Sequence, residues 1–459
     1  MKALIKSEKI YFFLLLIVSS GIALQVAVYK IAIIALILQW ILDKNFKQKF
    51  LILKANNYAL GLILIYFLYA ISLFWSDNFL AAASDIFLKS PLLIFPLVIL
   101  SRKECLSTNK INQILLSFAL SSVLINLYCL FDAYFSFIKT YQLSNFYYYK
   151  LPVNMHTAYQ SMFTSFSIVI FAYLRIKEKF MPDWLTYSLV SFQIILILLL
   201  SSRMQILIMM VLVPSYFILY YYNKNKVLLG ILYTLLIFSF AKLIMNVPSS
   251  LNFRYQQTVS QINSIGIDND NSDPRKFIWD ASLEIIKDNW LIGAGVGDAT
   301  PLLVERYLVL LLDNPTSEYL VDSTIVQIEK RDKTVQHLKE IALSNETTYN
   351  QELVVHAKMI LKRKNERYNL FAERKYNFHN QFLQTFGEIG LFGILVLLYL
   401  LASPFINAII RLDYLKVIFL FIICCSLLTE SMLERQAGVS FIVFFYTLLV
   451  GRIIQNKPS

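Results

Sequence analysis

Apolar runs of about 20 residues, the length that crosses a bilayer as a helix, recur from one end of this chain to the other. Short polar or basic breaks separate them. A fold with one compact, water-facing surface cannot absorb so many runs, because its outer layer has to be polar. Of the 459 residues, 57% are hydrophobic and 16% charged. Soluble domains are about 25% charged. The expected fold class is therefore an all-α polytopic membrane protein. Hydropathy predicts about twelve spans: 10–22, 24–42, 58–75, 82–100, 111–138, 156–174, 184–201, 204–222, 227–246, 381–403, 414–430 and 438–455. The first two are divided by a turn near Ser19–Gly21. The basic start "MKALIKSEKI" resembles a signal peptide, but it lacks a small-residue cleavage pattern, so the first span is expected to be retained.

Lysine and arginine set the orientation. With the N-terminus in the cytoplasm, the inner segments hold nineteen of these residues and the short outer loops four: Lys139, Lys150, Arg203 and Arg435. Both termini are then cytoplasmic. The net charge of +12 is accounted for by this bias and by anionic lipid, with no call for a nucleic-acid partner. Residues 1–246 hold spans one to nine, 247–380 a large outer domain, and 381–459 the last three spans. In the outer domain the periodicity predicts two amphipathic helical stretches, 318–344 and 351–375, packed together or lying on the bilayer. Cys105, Cys129, Cys424 and Cys425 have no metal-ligand spacing, and no disulfide or metal site is expected.

Charges within or beside spans are costly and tend to be functional. Arg203 lies in the hinge "LLLSSRMQILIMM", on the face where the basic-residue bias disfavours it. Lys89 lies about two turns inside the fourth span. It could snorkel outward, pair with Asp85, or serve a site. Arg275 opens a helix, "RKFIWDASLEII", where an exposed surface charge is the simpler reading. His379 and Asn380 stand at the mouth of the tenth span in "HNQFLQTFGEIGLFG", and an imidazole there can cap a helix or move a proton. Glu430, Glu434 and Arg435 share the last outer loop, where a surface Glu–Arg pair is the simple expectation. His156 opens the sixth span. All these groups lie on the outer face or within about two turns of it, which favours an outer-face site for an anionic ligand over a midplane transport path. "GAGVGD" lacks the GxxxxGK[ST] pattern of a phosphate loop and reads as a turn. "DNDNSD", Asp268 to Asp273, lacks the Gly and Glu of a calcium loop. Gly387, Gly390 and Gly393 predict a close helix-packing face.

The "SSR" turn at Arg203, the stretch from Arg275 to Gly297, the stretch from His379 to Gly393, and the layout with one large loop before the tenth span together resemble the O-antigen ligase family of bacterial inner-membrane proteins. The resemblance covers the span layout but not the interior of the outer domain, about 300–375. It implies a metal-independent glycosyltransferase of the membrane C type, without a cofactor, in lipopolysaccharide biosynthesis. The implied donor is a glycan on undecaprenyl diphosphate, and the acceptor is the lipid A core or another lipid-linked repeat. By resemblance, Arg203 and Arg275 hold the diphosphate, His379 is the general base, and Glu430 corresponds to an acidic residue of the last outer loop. Lys89, His156, Asn380 and Arg435 are added as substrate-binding candidates from position. The alternatives are an O-antigen polymerase, a protein O-oligosaccharyltransferase and, outside enzymes, a flippase for lipid-linked sugar.

Overall fold

The computed structural model describes residues 8–102, 106–153, 155–178, 181–222, 228, 232, 235, 239, 274–310, 318–329, 332–345 and 347–451. No strand forms among them. The chain enters as α1 (Glu8–Leu24), α2 (Val28–Leu42) and the short α3 (Phe46–Lys54). The turn between the first two apolar runs lies at residues 25–27, several residues later than the small residues Ser19–Gly21 predict. Those residues stay helical, and Gln25 instead takes the left-handed turn, with φ 54°. Next come α4 (Asn57–Ile71), prolonged to Trp75 by a 3-10 turn, then α5 (Phe79–Leu88) and α6 (Pro91–Phe95). The expected fourth span is thus interrupted at Lys89–Ser90. Pro91 and Pro96 each remove a backbone donor there, and 96–100 widen into a π turn.

Four longer helices follow: α7 (Thr108–Thr140), α8 (Thr157–Glu178), α9 (Asp183–Leu200) and α10 (Arg203–Tyr222). The expected ninth span, 227–246, falls almost wholly outside the described residues, as does "DNDNSD". The chain ends its described part with α16 (Gln381–Ile410), α17 (Tyr414–Thr429) and α18 (Gln436–Leu449). Among the described residues, five helical segments are long and apolar enough to cross a membrane: Asn57–Trp75, Phe79–Leu100, Thr108–Thr140, Asp183–Leu200 and Gln381–Ile410.

The main core wraps around α18. Every residue from Gly438 to Leu449 is buried, as expected of a helix that is apolar on all faces and surrounded by others. Its phenylalanines mesh with those of neighbouring helices. Phe441 meets Phe163 at 4.5 Å and Phe445 meets Phe118 at 4.8 Å between ring centroids. A separate polar seam joins α7, α8 and α9: buried Asn126 donates to Thr164 and to Gln193, and Gln160 donates to Asn126. Asn126, Gln160, Thr164 and Gln193 thus each have a partner within the seam, the kind of interhelical bonding that joins apolar helices.

Between α10 and α16, α11 (Pro274–Asp288) and α12 (Ala299–Val309) pack against the end of α15 (Tyr349–Glu373) around Ile278, Leu303, Tyr307 and Phe371. The stretch expected to be one helix over 318–344 is two, α13 (Glu318–Glu329) and α14 (Asp332–Ser344). Both pack on the first half of α15 through Val321, Ile328, Leu338 and Leu361. Of the two expected arrangements, packing together is the one adopted.

These helices meet the bundle where α16 breaks. Ile389 and Gly390 have non-helical torsions, with Gly390 at φ 64°, ψ −159°. The turn after α11 fills the break. Leu391 N–H donates to the carbonyls of Trp290 and Leu291, Ala294 N–H to Gly387, and Gly295 N–H to Glu388. The expected glycine face is therefore partly a hinge: Gly387 does admit the Phe378 ring, but Gly390 carries the backbone break. A Cβ at Gly390 would fall onto the Leu291 carbonyl, in a backbone region open only to glycine. Gly390→Ala is expected to lower stability by about 1–3 kcal/mol, read as a lower midpoint of thermal unfolding in detergent. An unchanged midpoint would show that the break is easily straightened.

Candidate active site

The site is assembled from three segments at one end of the bundle: the start of α11, the entry to α16, and the turn between α17 and α18. α11 begins at Pro274, whose ring suits the first turn of a helix, and this puts Arg275 at the helix mouth. α16 begins at Gln381. Asn380 caps it, its side-chain oxygen accepting from the N–H groups of Phe382 (2.9 Å) and Leu383 (3.2 Å). His379 precedes the cap with φ 46°, a left-handed conformation that a non-glycine residue adopts only when its surroundings hold it there. Its N–H donates to Asn377 Oδ1 at 3.1 Å, and Tyr376 packs edge-on to its ring. α17 ends at Thr429, and the chain turns extended at Glu430, then forms a short 3-10 turn, Met432–Glu434.

These segments meet at Glu430. His379 Nδ1 lies 3.0 Å from Glu430 Oε2, and Arg275 Nη2 lies 3.2 Å from Glu430 Oε1. Burial raises the Glu430 carboxyl pKa. The hydrogen bond from His379 and the nearby positive charges outweigh that effect and leave it below the ordinary value. Glu430 therefore stays a carboxylate below the ordinary carboxylate range. His156 stands within electrostatic reach of Glu430, His379, Arg435 and Arg275. It also caps α8, its Nδ1 accepting weakly from Ala158 N–H at 3.4 Å. Arg435 is exposed at the start of α18. Arg203 is half-buried and opens α10, two residues before Gln205, which donates to Ser426 Oγ at 2.8 Å. The carbonyl of that same Ser426 accepts from Glu430 N–H. Arg203 thus belongs to the same end of the bundle as the three-residue contact.

Beneath this contact lies a second cluster. Lys89 is completely buried, so it does not snorkel to the surface. Its ammonium lies 2.8 Å from Glu434 and 3.7 Å from Glu388, over the ring of Tyr69 at 4.9 Å. Glu434 therefore pairs with Lys89 rather than forming the surface pair with Arg435. Asp85, Glu388 and Glu434 bring one oxygen each within 4.8 Å of one another, a set able to hold a cation, and the Lys89 ammonium makes ion pairs with two of them, Glu388 and Glu434. Sequence reasoning misses this cluster. Its carboxylates come from positions 85, 388 and 434, a spacing that forms no motif. Glu388 is also hidden in a run read for its glycines, although an acidic residue inside a span is the signal that could have exposed it.

"GAGVGD" is a turn, as its sequence implies. The N–H groups of Ala294, Gly295, Val296 and Gly297 all donate within the protein, the last two to Ser72 and Ser76 hydroxyls. None is left to cradle a phosphate. Asp298 completes the clamp by accepting from Asp77 N–H (2.7 Å) and Asn78 N–H (2.9 Å).

Comparison with known families adds one finding. Residues 188–328 match the O-antigen ligase family model. The chain carries an O-antigen ligase domain. The match runs from within α9 into α13, so it includes Arg203, Arg275 and the glycine turn, while His379 and Glu430 lie beyond it. No curated protein matches the chain. The O-antigen ligase domain supports, in general terms, glycosyl transfer of the O-antigen ligase or polymerase type, with a lipid-linked glycan and an acceptor as partners. With five helical segments able to cross a membrane, it marks an integral membrane protein.

The capping bonds make a separable prediction. Asn380→Ala is expected to destabilise α16 by about 1 kcal/mol, and Asn380→Asp to restore most of that. Thermal unfolding of the two variants measures it, and equal midpoints would remove the capping role.

Proposed function

We propose that this protein is a glycosyltransferase that moves a glycan from undecaprenyl diphosphate to an acceptor hydroxyl at the periplasmic face of the inner membrane, as an O-antigen ligase acting on the lipid A core. The twelve-span topology, with both termini cytoplasmic, belongs to this proposal and rests on the distribution of basic residues. The observation that carries the chemistry is the 3.0 Å contact between His379 Nδ1 and Glu430.

A carboxylate facing Nδ1 favours the tautomer with the proton on that nitrogen, which leaves the Nε2 lone pair available as a base. As the acceptor oxygen attacks the anomeric carbon, Nε2 takes its proton. The bond from that carbon to the diphosphate oxygen breaks on the opposite side, and its electron pair leaves with undecaprenyl diphosphate. A single displacement of this kind inverts the anomeric centre. Arg203 and Arg275 hold the diphosphate and stabilise the charge it gains, in a site with little water to weaken them. A guanidinium carries five N–H donors, so the Arg275 bond to Glu430 is compatible with a second anionic partner. These cations do the work that a divalent metal does in many sugar transfers.

Purified protein, given a defined lipid-diphosphate glycan donor and a lipid A core acceptor, is expected to transfer glycan in the presence of EDTA. His379→Ala is expected to slow transfer by about 10²–10⁴-fold, the usual worth of a general base. Arg203→Ala should also abolish most transfer while the protein still inserts. Full activity of His379→Ala would overturn the mechanism, and loss of activity in EDTA that added metal restores would overturn its metal independence. In a deletion strain, a bare lipid A core with polymerised lipid-linked glycan accumulating supports the ligase. A core capped by a single repeat would assign a polymerase instead.

A further inference from the structure

The His379–Glu430 contact joins two segments that are far apart in sequence, and something must set the distance between them. The side chain of Gln384, one turn into α16, touches both. Its carbonyl oxygen accepts from Phe378 N–H (3.4 Å), the residue before His379, and from Ser431 Oγ (3.3 Å), the residue after Glu430. Its amide nitrogen donates to Glu388 Oε1 at 2.6 Å. The Phe378 N–H can only donate, so it fixes which way the Gln384 amide points and turns the amide nitrogen toward Glu388. Glu388 is in turn held by Lys89 through its other oxygen. Lys89 also holds Glu434, at the far end of the turn that begins with Glu430. The same turn is fixed once more by Leu433 N–H, which donates to Gln381 at 2.6 Å.

We infer that Lys89, Glu388 and Gln384 form a buried positioning relay that sets the His379–Glu430 geometry. None of the three needs to touch substrate. Lys89 and Glu388 are 0% and 1% exposed, and Gln384 is fully buried, so their effect reaches the reaction through the two segments they hold. This inference rests on the reading of His379 and Glu430 as the catalytic pair.

The relay makes a prediction that a purely structural role does not. If Gln384 acts by holding Glu430 against His379, its loss matters only while Glu430 can orient the imidazole. Gln384→Met keeps the side-chain length and removes the bridge. With the purified full-length chain and a lipid-diphosphate glycan donor, it is expected to lower kcat by about 10–100-fold, the scale of a misplacement near 1 Å, with KM for the donor little changed. In a Glu430→Gln background the same change is expected to have almost no further effect, so the double variant resembles Glu430→Gln alone. The second variant, Lys89→Met/Glu434→Gln, removes the cation together with its nearest carboxylate and leaves the formal charge of the cluster unchanged. It should show the same dependence on Glu430. If either change multiplies with Glu430→Gln, or leaves kcat at the wild-type value, the relay is refuted while the catalytic pair stands. If His379→Ala and Glu430→Gln each transfer glycan at the wild-type rate, the catalytic reading fails and the relay fails with it.

Discussion

The architecture turns on the break in α16. A helix in a low-polarity environment satisfies its backbone internally, and interrupting it exposes carbonyl and N–H groups that water is not there to meet. In a regular helix Leu391 N–H would donate to Gly387. Here both groups have new partners, and all of those partners come from residues 290–294. The break is stable only with that turn in place, and the turn needs glycines because its backbone lies directly against the α16 backbone. The turn after α11 is thereby fixed to the bundle by main-chain hydrogen bonds. Asp298 and the Ser72 and Ser76 hydroxyls extend the same junction to the end of α4.

The break also determines where charge can sit. Glu388 lies one residue before the non-helical pair, and Lys89 lies at the corresponding interruption between α5 and α6. Two interrupted helices place their charged residues together, where each compensates the other's burial. An unpaired ammonium or carboxylate at such a depth would be severely destabilising, whereas a pair with further hydrogen bonds persists. Glu388 has Gln384 on one oxygen and Lys89 on the other. Lys89 adds Glu434 and the face of Tyr69.

The all-helical character and the extents of several helices were legible in the sequence because span length acts over long stretches and tolerates local irregularity. The limits of α9 and α17 fall within one residue of expectation. Errors arose where a single residue decides. The small residues Ser19–Gly21 suggest a turn, yet a small residue in a tightly packed helix interior marks close approach, here of Tyr29 to Gly21. In the site, His379, Arg275 and Glu430 were each legible as candidates, but their convergence was not. Periodicity assigns a residue to one helix face and says nothing of a partner 51 or 155 positions away. Lys89 was visible as an anomalous charge. Its partners were not, since Glu434 has a closer basic neighbour in sequence, Arg435, which the extended backbone at that residue turns outward.

The division between what the family match covers and what it leaves out follows from these constraints. Arg203, Arg275 and the glycine turn lie within the matched 188–328, while His379, Glu430 and the buried lysine cluster lie outside it. The two parts do not form separate bodies. Arg275 reaches Glu430 directly, and the glycine turn supplies the hydrogen bonds that let α16 break beside Glu388. A change in the matched segment that shifts this turn therefore displaces Glu388. Through Gln384 it also displaces both segments that carry the His379–Glu430 contact. Substitutions in the turn and at Gln384 should accordingly couple, although their side chains need not touch, because both act on the one helix break that holds the site together.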